Sequence, residues 1–251
     1  MRILSLAETA RSPHMRTYMS RQLTLNLPTD IGTMGRGSFL TTPANEPNLA
    51  LLDAWARSSE QLLVICGAAS AGKTHLASIL AHERPAQWLA TITTAALGRE
   101  PAYAGSAEDT GHDEAHDLLT ILDPVAEATP PRTLLEFVER LREGRRPLVL
   151  VGRGTPIEWA QGLRDLETRL EAAPRIDVSP PDEELLRGVI AKRFKDRQLD
   201  VDRKLIEYVA PRLKRTLAAA NDFVEAADAA ALASKSPISV PLARKVLADL
   251  S

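Results

Sequence analysis

Lys73 and Thr74 close the stretch Gly67-Ala68-Ala69-Ser70-Ala71-Gly72-Lys73-Thr74, in which every fixed position of the phosphate-binding P-loop pattern is filled. The chemistry such a stretch performs is the holding of a triphosphate. Gly67 and Gly72 let a tight loop turn its backbone N–H groups inward, Lys73 neutralises β/γ charge, and the Thr74 hydroxyl ligates Mg²⁺. Hydrolysis needs a second, acidic site at the end of a neighbouring strand, to hold the metal's water shell and orient the attacking water. Leu118-Leu119-Thr120-Ile121-Leu122-Asp123 supplies one candidate, an apolar run ending in a carboxylate 50 residues beyond Lys73. Asp123 then stands where open parallel sheets bind ligands, at a strand's C-terminal edge; the plainer alternative is that it only caps its strand. The next residue, Pro124, has no group that polarises water, and losing a positioned base removes about 10²–10⁴-fold in rate. Binding is therefore favoured over efficient turnover.

A second acidic stretch, Asp113-Glu114-Ala115-His116, spells the DEAH box of a helicase superfamily. That box must follow an apolar strand, whereas Gly105–His112 is polar and rich in small residues. The same letters set His112 and His116 four residues apart, a zinc-binding spacing, but Asp113 follows His112 where zinc proteases have glutamate, and no third ligand is evident. A solvated acidic loop accounts for the stretch.

The elements that must position Gly67–Thr74 are legible around it. Leu62-Leu63-Val64-Ile65-Cys66 reads as a buried parallel strand, and Leu76, Ala77, Ile79 and Leu80 recur at helical spacing after the loop. Strand, loop and helix N-terminus together form an anion site favoured by the helix dipole. Upstream, residues 20–50 are an extended lead-in and Asn48–Trp55 a short helix. Downstream, Trp88–Thr94 reads as a strand, residues 98–117 as a long loop, Leu118–Leu122 as a strand, Leu134–Leu141 as an amphipathic helix and Leu148–Gly152 as a buried strand. Alternating strands and helices imply an α/β fold with a parallel sheet flanked by helices. From Pro180 onward no strand signal remains. Pro181 and Asp182 open a helix with Leu185, Leu186, Val189, Ile190 and Phe194 on one face; Asp202 caps Lys204–Val209; Pro211 interrupts; Arg215–Leu232 and a segment opened by Ser239 and Pro241 follow. The expected organisation is a flexible tail over 1–30, an α/β nucleotide-binding domain over 31–177 and a small all-α domain over 178–251.

Composition narrows the function classes. Thirty-one basic against 33 acidic residues leave a formal net charge of -2, which argues against a broad, sequence-independent grip on nucleic acid. The single cysteine, Cys66, sits in the apolar strand and reads as a small buried residue, and one cysteine permits no internal disulfide. No apolar run approaches the roughly 18–20 residues of a membrane span, and Glu8 ends the Ile3–Ala7 run too early for a signal peptide, so no membrane partner and a cytoplasmic location are expected.

A P-loop domain followed by a helical lid suggests the AAA+ class. Asp165-Leu166-Glu167-Thr168-Arg169-Leu170 resembles the arginine-finger segment of the bacterial initiator DnaA and of its relatives in the Hda family, with Thr168 where Ser is usual. Such an arginine, at a subunit edge, reaches a neighbour's γ-phosphate; a surface arginine beside Glu167 is the bland alternative. Arg215, in Lys214-Arg215-Thr216-Leu217, matches the family's sensor 2 arginine, which reaches from the lid to bound phosphates. Ile238–Arg244 resembles the lid terminus. After Leu148–Gly152, where the family often has an acidic sensor 1 residue, this chain has Arg153. Gln22-Leu23-Thr24-Leu25-Asn26-Leu27-Pro28 resembles the peptide by which Hda docks on the β sliding clamp of DNA polymerase. In an extended segment Leu23, Leu25 and Leu27 share one side, while Gln22 bonds at the pocket mouth.

The resemblance to the Hda family implies a regulator of replication initiation whose nucleotide, ADP in the first instance and otherwise ATP, lies with Mg²⁺ on Thr74 and Asp123, between Gly67–Thr74 and Arg215. It implies as partners the sliding clamp, DnaA, DNA indirectly through the clamp, and a second copy in a homodimer. Arg169 would act as catalytic finger in trans on DnaA-bound ATP. DnaA continues past its lid into a helix-turn-helix that reads DNA, and with the sequence ending at Ser251 that reader is expected to be absent. The competing readings are a self-sufficient AAA+ ATPase such as a helicase loader, an adaptor that recruits factors without stimulating hydrolysis, and a scaffold with an empty P-loop.

Overall fold

The computed structural model describes residues 34–92, 118–125 and 129–250. The peptide at 22–27, the stretch 112–116 and the loop expected at 98–117 lie outside the described residues. Among the described residues five strands form one parallel sheet: β1 (Leu62–Gly67), β2 (Ala86–Leu89), β3 (Leu119–Val125), β4 (Leu148–Gly152) and β5 (Arg175–Val178), in the order β2-β3-β4-β1-β5. Chain order thus reverses around β1, and a ligand is expected at the carboxyl end of the strands beside it.

Alternation within the central strands splits the core between the two faces of the sheet. Leu63, Ile65, Val149 and Val151 face α1 (Glu46–Ala56) and α2 (Lys73–Glu83), which contribute Leu52, Trp55, Leu76, Ile79 and Leu80. Val64, Cys66, Leu148 and Leu150 face α3 (Pro131–Glu143) and α5 (Arg164–Ala172), through Leu134, Phe137, Leu166 and Leu170. Between β4 and α5 runs α4 (Pro156–Ala160), opened by a capping box in which Thr155 and Glu158 bond each other's backbone N–H. Cys66 is the buried core residue expected; its thiol donates to Asp177 Oδ1 at 3.0 Å, and burial pushes its pKa up to about 12, far from thiolate chemistry.

Four helices follow: α6 (Glu183–Asp196), α7 (Arg203–Val209), α8 (Leu217–Ser234) and α9 (Val240–Asp249). Asp182, Asp202 and Thr216 cap the first three through side-chain oxygens accepting backbone N–H groups. They share a separate apolar cluster built on Leu186, Ile190, Phe194, Phe223, Val224 and Val246.

Three expectations are corrected. The strand expected at Trp88–Thr94 is Ala86–Leu89, beginning directly after Pro85; it lies at the sheet edge with every residue half-buried, so no strong apolar run marks it. The helix expected from Arg215 begins at Leu217, because Thr216 is its N-cap, and Arg215 stands in the preceding turn. The strand β5 has no counterpart in the sequence reading. Arg175 and Asp177 are exposed while Ile176 and Val178 are buried, a four-residue alternation too short to stand out.

Candidate functional site

The phosphate loop is built where β1 ends. Gly67 has φ +137°, a conformation for glycine, and an added Cβ would collide with the Val178 carbonyl oxygen of β5. Gly67→Ala should therefore destabilise the fold by at least about 2 kcal/mol, read as a lower urea midpoint at unchanged slope. Gly72, at φ +105°, is the N-cap of α2 and turns the chain into the helix. Lys73 is 8% exposed, and its ammonium donates to the carbonyls of Gly67 (3.1 Å) and Ala68 (2.5 Å). Burial, and next the neighbouring charges, leave its pKa below the ordinary lysine value: Asp123 opposes the shift and Arg153 adds to it.

Thr74 and Asp123 meet, with Thr74 Oγ1 donating to Asp123 Oδ2 at 2.7 Å. The irregularity that aims Asp123 is a bulge. Leu122 pairs with Leu150 but Val125 with Gly152, so β3 carries one extra residue there. Pro124 fits a bulge, having no N–H to leave unpaired. Burial raises the Asp123 pKa, against the opposing effects of the Thr74 bond and Lys73. A loop of inward carbonyl-bound lysine, a helix N-terminus, and a hydroxyl–carboxylate pair is a donor set that fits a polyphosphate with a divalent ion on Thr74 and Asp123.

Beside the loop opens a cleft of about 470 Å³, lined by Phe39, Asn45, Gly72, His75, Asp182 and Leu217 among others. One wall comes from the lead-in before α1. His75 Nε2 lies 3.3 Å from the Gly35 carbonyl and 3.1 Å from Ser38 Oγ, and Phe39 meets the imidazole edge-on with centroids 5.1 Å apart. A carbonyl only accepts, so Nε2 carries the proton; burial lowers the His75 pKa and favours this neutral ring. Arg36 adds ion pairs to Asp53 of α1 (2.5 Å) and Glu83 of α2 (2.7 Å). The opposite wall is the helical part. Leu217 N–H donates to the Ser70 carbonyl at 2.9 Å, which ties the start of α8 to the phosphate loop. Arg215, two residues earlier and exposed, is thereby anchored near that loop. Sequence reading missed His75, Ser38 and Phe39. His75 follows Thr74 directly, and its position on α2 was the available signal.

Arg169 does not join this site. It lies on α5 with Nε 2.5 Å from Glu139 Oε1 of α3, both side chains about one-third exposed (34% and 30%). Both atoms are shielded from solvent, without an aligned hydrogen bond despite their proximity. Arg169 lines a depression of about 380 Å³ with Arg142, Arg146, Thr168, Leu62 and Leu148. Leu62 and Leu148 begin their strands, so this depression lies at the end of the sheet opposite the phosphate loop, about 17 Å away at ordinary strand rise. An arginine side chain cannot cover that distance.

Comparison with known proteins follows the same lines. The DnaA initiators of two Lactobacillus delbrueckii subsp. bulgaricus strains are 25% identical over 199 residues, 75% of this chain. This chain is similar in sequence to DnaA. The match spans 44% of the initiator's length. Domain III of Thermotoga maritima DnaA superposes with TM-score 0.68 at 15% identity, covering 90% of this chain and 98% of that domain. The T. maritima RuvB Holliday junction branch migration motor superposes with TM-score 0.61 at 17% identity, over 88% of this chain and 73% of RuvB. No protein-family model matches. The fold is the AAA+ fold of DnaA domain III and RuvB, a parallel five-stranded sheet flanked by helices with a helical C-terminal part. Among the described residues, no helix is long and apolar enough to cross a membrane.

Proposed function

We propose that this chain is an Hda-like regulator of DNA replication initiation. It holds ADP or ATP, with Mg²⁺ on Thr74 and Asp123, between the phosphate loop and the helical lid. It offers Arg169 to the ATP site of DnaA. The observation that carries this reading is the separation of its two charged centres: Lys73 and Arg169 stand at opposite ends of the sheet. A finger that cannot reach its own nucleotide acts across a subunit boundary, where it stabilises charge that develops on the transferring phosphoryl group. Bound nucleotide supplies the polyanion that bridges loop and lid; the chain's own part is to fix the angle of the lid through Leu217–Ser70 and Arg215. Pro124 beside Asp123 supports weak turnover by the chain alone.

The proposal includes docking on the β sliding clamp through Gln22, Leu23, Leu25 and Leu27, so that the partner meets the clamp on DNA. Binding of full-length chain to immobilised clamp tests this part. Gln22→Ala/Leu25→Ala should weaken it about 10-fold or more, since each group fills a separate subsite; equal affinity would remove the clamp from the account. The whole reading is tested by hydrolysis of DnaA-bound ATP with and without this chain and clamp-loaded DNA. Stimulation that requires both supports the regulator. Fast turnover by the chain alone would favour a self-sufficient ATPase, and clamp binding without stimulation a recruiting adaptor.

A further inference from the structure

The apolar seam between α3 and α5 ends on a pair of opposite charges. Val138 and Leu141 of α3 share one buried cluster with Leu166 and Leu170 of α5. Glu139 follows Val138 and Arg169 precedes Leu170, and both are half-buried at the edge of that cluster. Asp165, one turn before Arg169 on α5, is the ordinary partner for such an arginine. Among the described residues the ion pair of Arg169 is instead with Glu139 across the seam, Nε 2.5 Å from Oε1.

Only the root of the guanidinium is held. Nε and Oε1 are shielded from solvent, whereas the terminal amino groups of Arg169 are open to it and take no hydrogen bond among the described residues. What holds Nε is attraction between charges rather than an aligned hydrogen bond, and exclusion of water strengthens it. A carboxylate at Nε restricts the rotamers of a side chain that otherwise has many, and leaves the end-on N–H donors of the planar group free. Arg142 and Arg146 line the same depression as Arg169. Without the Glu139 carboxylate, three like charges would face one another there and drive the Arg169 head off its position.

We propose that Glu139 is a positioning residue for Arg169: it fixes Nε so that the terminal nitrogens point outward, ready for an anion presented by a partner. This rests on the reading of Arg169 as a finger that acts in trans. A finger ordered before the partner arrives gives up less rotamer freedom when it engages the developing phosphoryl charge. Glu139 itself touches no reacting atom; its contribution passes through the direction of the guanidinium.

Single-turnover hydrolysis of DnaA-bound ATP, with clamp-loaded DNA and increasing full-length chain, tests this with Glu139→Ala and Glu139→Gln. Glu139→Ala should lower the maximal stimulated rate about 10-fold or more, since a small misplacement of a group that meets the transition state costs up to about 100-fold. The chain concentration giving half-maximal stimulation should stay within about 2-fold of wild type, and so separate positioning from docking. Glu139→Gln keeps an oxygen at the same reach and should recover part of the loss. In the NMR spectrum of the free chain, the Nε–H signal of Arg169, assigned by its disappearance in Arg169→Ala, should exchange slowly with water in wild type and rapidly in Glu139→Ala. A maximal rate for Glu139→Ala equal to or above that of wild type, with Arg169→Ala inactive, would overturn the role of Glu139 and leave the finger standing. Equal rates for wild type and Arg169→Ala would overturn both.

Discussion

Replacing Lys73 with methionine is expected to lower nucleotide affinity by about 100-fold or more while the ligand-free thermal midpoint stays within a few degrees of wild type. The ammonium is buried and turned onto the Gly67 and Ala68 carbonyls, inside the loop that would hold the phosphates. Two charge-assisted bonds to phosphate are worth about 3 kcal/mol at their weakest, hence the 100-fold. The small effect on folding has a definite sign behind it. Burial depresses the folded-state pKa of Lys73, so the charged form is less favourable in the folded than in the unfolded chain. That disadvantage for folding is present at neutral pH and fades as pH rises through the depressed value towards the ordinary lysine range. Methionine keeps the stem and removes the charge, offsetting the two donated bonds that are lost. Calorimetry of apo and ADP-saturated protein reads both effects at once: wild type should gain stability with ADP and Lys73→Met should not.

The candidate phosphate site was legible in sequence because its chemistry is local. Gly67 to Thr74 are contiguous, the apolar run Leu62–Cys66 has one plausible structure, and Leu148–Gly152 matches its strand to the residue. Asp123 was legible for a related reason: an apolar strand ending in a carboxylate is a pattern, and Thr74 meets it at 2.7 Å. What escaped is non-local or weakly marked. Ser38 and His75 lie 37 residues apart and Glu139 and Arg169 thirty, and no periodicity couples either pair. The bulge at Asp123–Pro124 is a register shift between strands, visible only when β3 and β4 are paired. The edge strands β2 and β5 are short and half-covered, so Arg175 and Asp177 read as loop residues although Ile176 and Val178 are core. Arg169 was legible as a motif residue but not as a placement. Its position at the far end of the sheet, Nε beside Glu139, emerges from how α3 and α5 pack.

That placement gives the second large effect. If the Arg169 guanidinium completes the ATP site of DnaA, its removal deletes a full positive charge from a water-poor site where phosphoryl charge develops. Arginine fingers supplied in trans are worth about 10³–10⁵-fold in rate. Arg169→Ala should therefore abolish stimulation while leaving the chain folded, because the pair it forms with Glu139 is one-third exposed and contributes about 1 kcal/mol or less to stability. ADP binding by the same variant should match wild type, since the phosphate loop lies a whole strand length away.

The most direct test is single-turnover hydrolysis of ATP bound to DnaA, in the presence of clamp-loaded DNA and either full-length wild-type chain or Arg169→Ala. The account predicts fast hydrolysis with wild type and a rate reduced by about 10³-fold, or to the unstimulated level, with Arg169→Ala. Equal rates with the two proteins would contradict it.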